Sequence, residues 1–96
     1  MRALAARLVR QALSSKGFVL HQGASRDHDM FFLVVEGKKS SFFVKLSRGA
    51  RDMRMDEMSN SARQLRVAPS SLFKVLSCEF DAQATRRLYE ESLRSG

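Results

Sequence analysis

Ninety-six residues are enough for one domain, and 44% apolar content with 28% charged residues excludes wholesale disorder. Seventeen Lys and Arg against ten Asp and Glu leave a formal charge of +7, which points to an anionic partner: nucleic acid first, an acidic protein second, a membrane surface third. The single cysteine, Cys78, excludes an internal disulfide and a cysteine-ligated zinc, and fits a reducing compartment.

The spacing predicts a first helix over Ala3–Ser15, with Leu4, Ala5, Leu8 and Ala12 as its apolar stripe, Val9 and Leu13 beside it, and Arg2, Arg7 and Arg10 off it. Arg7 and Arg10 interrupt this segment, so it lacks the apolar core of a signal peptide. No run approaches the ~20 apolar residues of a membrane span, and the expectation is a cytoplasmic protein with no membrane partner. Gly17 is the stop signal, a residue that takes the left-handed conformation without a Cβ penalty.

Three strands follow: Phe18–Gln22, Met30–Val35 and Ser40–Leu46. Gly23–Asp29 reads as a polar turn region, and Glu36-Gly37-Lys38-Lys39 as a hairpin connection that makes the last two strands antiparallel. Five of the seven phenylalanines fall between Gly17 and Gly49, on both parities of the strands. If Phe31, Leu33 and Val35 face helices, then Met30, Phe32 and Val34 leave the second face apolar, and such a face usually binds something. The competing expectation is that further helices cover both faces.

Ser47–Met53 reads as a basic loop. Between Lys38 and Arg54 lie six basic residues (Lys38, Lys39, Lys45, Arg48, Arg51 and Arg54) and one acid, Asp52. A second helix starts between Asp52 and Asp56 and ends near Arg66, with Met55, Met58, Ala62 and Leu65 on one face. Pro69 suits the first turn of a third helix over Ala68–Ser77, and Asp81 suits the N-cap of a fourth running to Arg94. Cys78 reads as a small core residue. The fold class is α+β: a three-stranded antiparallel sheet with helices in the order α-β-β-β-α-α-α, all in one domain over residues 1–96.

His28 sits between Asp27 and Asp29. Imidazole titrates near neutrality, so it can take a proton from a ribose 2′-hydroxyl or give one to a leaving 5′-oxygen. The structural alternative is a solvated turn histidine between turn-forming aspartates. His21 reads as a strand residue on the open face. Lys45 and Arg48, with Lys38, Lys39, Arg51 and Arg54, read as phosphate-binding residues because almost no acid accompanies them. Arg63 and Gln64 read as a solvated helix face. Asp27 and Asp29 have no further ligand at useful spacing, so no metal and no cofactor is expected.

The chain resembles the HicA-type (YcfA-like) toxins of toxin–antitoxin pairs. The resemblance is carried by Gly17-Phe18, Asp27-His28 followed by Phe31, Gly37-Lys38-Lys39, Lys45-Leu46-Ser47 with Gly49, Ala62-Arg63-Gln64-Leu65, Cys78 and Tyr89. It implies a double-stranded-RNA-binding-domain-like fold, metal-independent cleavage of messenger RNA with His28 as the catalytic residue, and neutralisation by a HicB-like antitoxin protein. This chain departs from the family's pattern in three places: Arg26-Asp27-His28 replaces Gly-Ser-His, Arg48 replaces a histidine found after the third strand in a subgroup, and Glu79 replaces the proline of a Cys-Pro pair. Two other classes stay open: a non-catalytic RNA-binding or protein-interaction domain on the same scaffold, and a subunit whose apolar sheet face makes a homodimer.

Overall fold

The computed structural model describes residues 2–21 and 27–95. The elements are β1 (Leu4–Ala5), α1 (Ala6–Ser15), β2 (Phe18–His21), β3 (His28–Val35), β4 (Lys38–Ser47), β5 (Asp52–Met53), α2 (Met55–Leu65), α3 (Pro69–Leu76) and α4 (Ala82–Ser95). This is an α+β fold with a three-stranded antiparallel sheet, ordered β2-β3-β4, and four helices. Gln22 and most of the Gly23–Asp29 turn region fall outside the described residues; Asp29 itself lies within β3.

The expected first helix is three residues too long. Leu4 and Ala5 are extended and pair antiparallel with Met53 and Asp52, forming a miniature second sheet inside the expected basic loop. The Ala6 amide then donates to the Arg51 carbonyl, so that loop, not a side chain, occupies a free N–H at the start of α1. The buried face of α1 is Ala6, Val9, Ala12 and Leu13, whereas Leu8 is 45% exposed. Leu4 and Ala12 of the expected stripe are buried, while Val9 and Leu13 take the place of Leu8 on the core side.

Gly17 ends α1 with φ of +91°, and Phe18 enters the core directly after it. At the β3–β4 hairpin, Glu36 and Gly37 both have positive φ, the pattern of the tight turn whose twist matches that of its strands. Above this turn the register slips between Phe32 and Val34. The Ser40 hydroxyl fills the gap, donating to the Leu33 carbonyl at 2.7 Å and accepting from the Phe42 amide at 3.2 Å.

The core lies between one sheet face and the helices. Phe31, Leu33, Phe42, Val44 and Leu46 project into it and join Val9, Leu13, Met53, Met58, Leu72, Val75, Leu76 and Leu88. Phe42 packs edge-on against Tyr89 of α4 at 5.7 Å. Met55 departs from the expectation: it is 48% exposed at the first position of α2, while Met58, Ala62 and Leu65 are buried. Cys78 also departs. It follows α3 with φ of +65° and is exposed; the buried residue beside it is Lys16, whose Nζ donates to Cys78 Sγ at 3.2 Å.

Asp81 caps α4 as expected: its Oδ1 accepts from the Ala84 amide at 2.8 Å. Replacing it with Ala removes that acceptor and should lower stability by about 1 kcal/mol, while Asn should retain most of it. Urea denaturation of the two variants checks this.

Candidate functional site

His28 is the first residue of β3, paired across the sheet with Ser47, the last residue of β4. Because paired residues share a sheet face, His28, Met30 and Phe32 point the same way as Ser47, Lys45 and Phe43, away from the core. Helix α2 runs beside β4 and walls this end of the sheet. The result is a cavity of about 450 Å³ lined by His28, Lys45, Glu57, Asn60, Ser61, Arg63 and Gln64.

The α2 wall is held by its own N-terminus. Glu57 accepts from the Arg54 amide at 3.2 Å with one carboxylate oxygen and from the Ser47 hydroxyl at 3.1 Å with the other. One side chain thus closes the first turn of α2 and ties it to the end of β4, directly across from His28.

On the core side of the same strand end, Asp29 is buried between two guanidiniums. Arg10 Nη1 donates to Oδ2 at 2.7 Å, while Arg48 Nε and Nη2 both reach Oδ1, at 3.1 and 2.9 Å. The Arg48 amide also donates to the Asp27 carbonyl at 2.7 Å. This triad joins α1, β3 and the segment after β4 around His28. The hydrogen bond from Arg10 comes first among the causes that hold the Asp29 carboxyl below its ordinary range; burial opposes it, and the Arg48 hydrogen bond adds to it.

A carboxyl whose pKa is depressed by folding adds stability above its unfolded pKa and loses it as pH falls through the folded one. Asp29 should therefore add full stability above about pH 4 and progressively less below that. Asp29→Asn should cost about 1–3 kcal/mol at neutral pH, less than a fully buried pair because both arginines are partly solvated, and it should flatten the acid limb of the stability curve. Denaturation midpoints between pH 2 and 7 measure both effects.

The expected cationic residues do not form one patch. Lys45 lines the cavity with His28. Arg48 faces the opposite side of the strand end and is engaged by Asp29. Arg54 pairs with Asp56 and Glu57. Arg51 lines a separate cleft with Arg7 and Arg10 below β1 and β5. Lys38 and Lys39 pair with Val35 and Val34 at the hairpin end, six or seven residues along β3 from His28, roughly 20 Å away. The described residues hold no group of three His, Cys, Asp or Glu side chains placed to bind a metal, and Asp29 is turned toward its arginines. No helix among the described residues is long and apolar enough to cross a membrane.

Sequence reasoning sets aside Arg63 and Gln64 as a solvated face, reads Glu57 only as a complement to the helix dipole, and gives Asn60 no role. Their spacing nevertheless carries a signal: 57, 60, 61 and 64 recur at i, i+3, i+4 and i+7, one side of a helix, with 63 beside it. Comparison of the chain with protein-family models, with curated proteins and with solved structures returns no match.

Proposed function

We propose that the chain is a HicA-like toxin: an endoribonuclease that cleaves messenger RNA by metal-independent transesterification and is neutralised by a cognate antitoxin protein. The observation that carries this reading is the cavity in which His28 and Lys45 meet the polar side of α2. The order of α1, three antiparallel strands and α2 supports the double-stranded-RNA-binding-domain-like scaffold that goes with it.

In this reaction the ribose 2′-oxygen attacks the adjacent phosphorus, its proton passes to a base, and the bond from phosphorus to the 5′-oxygen breaks as that oxygen takes up a proton. A 2′,3′-cyclic phosphate and a 5′-hydroxyl result. His28 serves as the base or the acid. The Lys45 ammonium offsets the charge that builds on the phosphorane oxygens. Asn60, Arg63 and Gln64 supply hydrogen-bond donors to the nucleotide from the facing wall. Arg48 acts by anchoring the strand end through Asp29, in contrast to the phosphate contact its sequence position implied.

Incubating purified protein with single-stranded RNA in excess chelator tests the reading. Fragments are the expected result. Intact RNA that nevertheless binds, with log affinity falling linearly with log salt, would favour the alternative of a non-catalytic RNA-binding domain, for which the engagement of Arg48 and Arg54 in ion pairs is the supporting observation.

A further inference from the structure

The sheet face away from the core carries a second group that the cavity does not use. Phe32 and Phe43 are cross-strand neighbours with ring centroids 5.4 Å apart. Both are partly exposed, and neither belongs to the core cluster or to the residues packed on it. His21 meets Phe32 edge-on at 5.7 Å. Lys39 Nζ stands 5.7 Å above the Phe32 ring and 2.9 Å from His21 Nδ1. An ammonium can only donate, so in this contact Lys39 Nζ is the donor and His21 Nδ1 the acceptor. Val19, 41% exposed, flanks the group on the edge strand.

What could cover this face is decided by its charge. The strand residues that alternate onto it include Lys39 and Lys45 and no carboxylate among the described residues. A second copy of the chain related by a twofold axis would bring these lysines towards their own equivalents, and an apolar protein partner would have to desolvate them. Unpaired nucleotides match both features: a base has a face for each ring, and its phosphate has a counter-charge in each lysine.

We propose that this face is a stacking platform for unpaired nucleotides of single-stranded RNA, with Phe32 and Phe43 under successive bases, Lys39 on the phosphate beside them, and Lys45 at the phosphate that enters the cavity. The proposal rests on RNA being the partner, and it adds a selection for unpaired over duplex RNA. It also gives the cavity a supply of substrate. His28 lies four residues along β3 from Phe32, roughly 13 Å, so a strand laid over the rings continues into the cavity.

The test measures binding of a fluorescein-labelled, unstructured 12-nucleotide RNA, and of the same strand annealed to its complement, by anisotropy. All proteins carry His28→Ala so that the probe stays intact, which separates this result from the fate of the cleavage reading. Phe32→Ala and Phe43→Ala should each weaken single-strand affinity by at least about fivefold, Phe32→Tyr should retain it, and duplex affinity should change by less than about twofold. Thermal melting of each variant verifies that it is folded. Unchanged single-strand affinity in both alanine variants would overturn the proposal, as would an equal loss on the duplex. So would sedimentation of the parent protein as a dimer that Phe32→Ala converts to a monomer, since the face would then be a contact between copies.

Discussion

His28→Ala should reduce RNA cleavage by a factor of about 10²–10⁴ while leaving the melting temperature within about 2 °C of the parent. The size of the loss follows from the role: one positioned proton-transfer group is removed, and the cations and the walls of the cavity remain. The small effect on stability follows from the position. His28 is half-buried at the first residue of β3, outside the core, and its backbone pairing with Ser47 does not depend on the side chain. Lys45→Ala should cost less, because the facing wall also supplies Arg63. Initial rates on one labelled RNA, with thermal melts beside them, separate the chemical role from a folding defect. A stable His28→Ala protein that cleaves at the parent rate would remove this residue from the mechanism.

Phe42→Ala should destabilise the fold by about 3–5 kcal/mol, the largest effect expected of any single side chain here. Phe42 is 2% exposed and is the largest of the fully enclosed residues. Its ring lies 6.2 Å from that of Phe18 and 5.7 Å from that of Tyr89, so it joins β2, β4 and the last helix. Removing it opens a cavity that three separate elements would have to close. A domain of this size has a total stability of about 5–15 kcal/mol, so the variant should melt far below the parent or fail to fold at 37 °C. Phe43→Ala, one residue on, should cost roughly 1 kcal/mol or less, because Phe43 lies on the other face and outside the core cluster. Urea titrations of the two variants compare the two sides of one strand directly.

Residues whose conformation is set by their immediate neighbours are legible from the amino-acid order alone. Gly17 ends α1, Glu36-Gly37 turns the hairpin and Asp81 caps α4 because each acts within a few residues of itself. The three strands are legible from their apolar runs, and the two-sided pattern of β3 correctly separates Phe31 and Leu33, in the core, from Met30 and Phe32, outside it. The pairing of Leu4–Ala5 with Asp52–Met53 is not legible, since it joins segments far apart in sequence and each is two residues long. Leu8 and Val9 are equally apolar, and only the position of the packed elements decides which of them is buried. Arg48 reads as a phosphate ligand because its neighbours in sequence include almost no acid; its carboxylate partner, Asp29, sits nineteen residues away. The wall of the cavity escapes sequence reasoning for the same reason: Glu57 and Asn60 join His28 and Lys45 only when α2 is laid beside β4.

His28 and Lys45 line one cavity, and in the proposed function they open RNA there at its own 2′-hydroxyl. Mass analysis of the fragment ends tests this most directly, with the parent protein and His28→Ala run in parallel in chelator. Ends bearing a 2′,3′-cyclic phosphate and a 5′-hydroxyl, from the parent alone, are the predicted result; fragments ending in a 3′-hydroxyl and a 5′-phosphate, or the same fragments from both proteins, would contradict it.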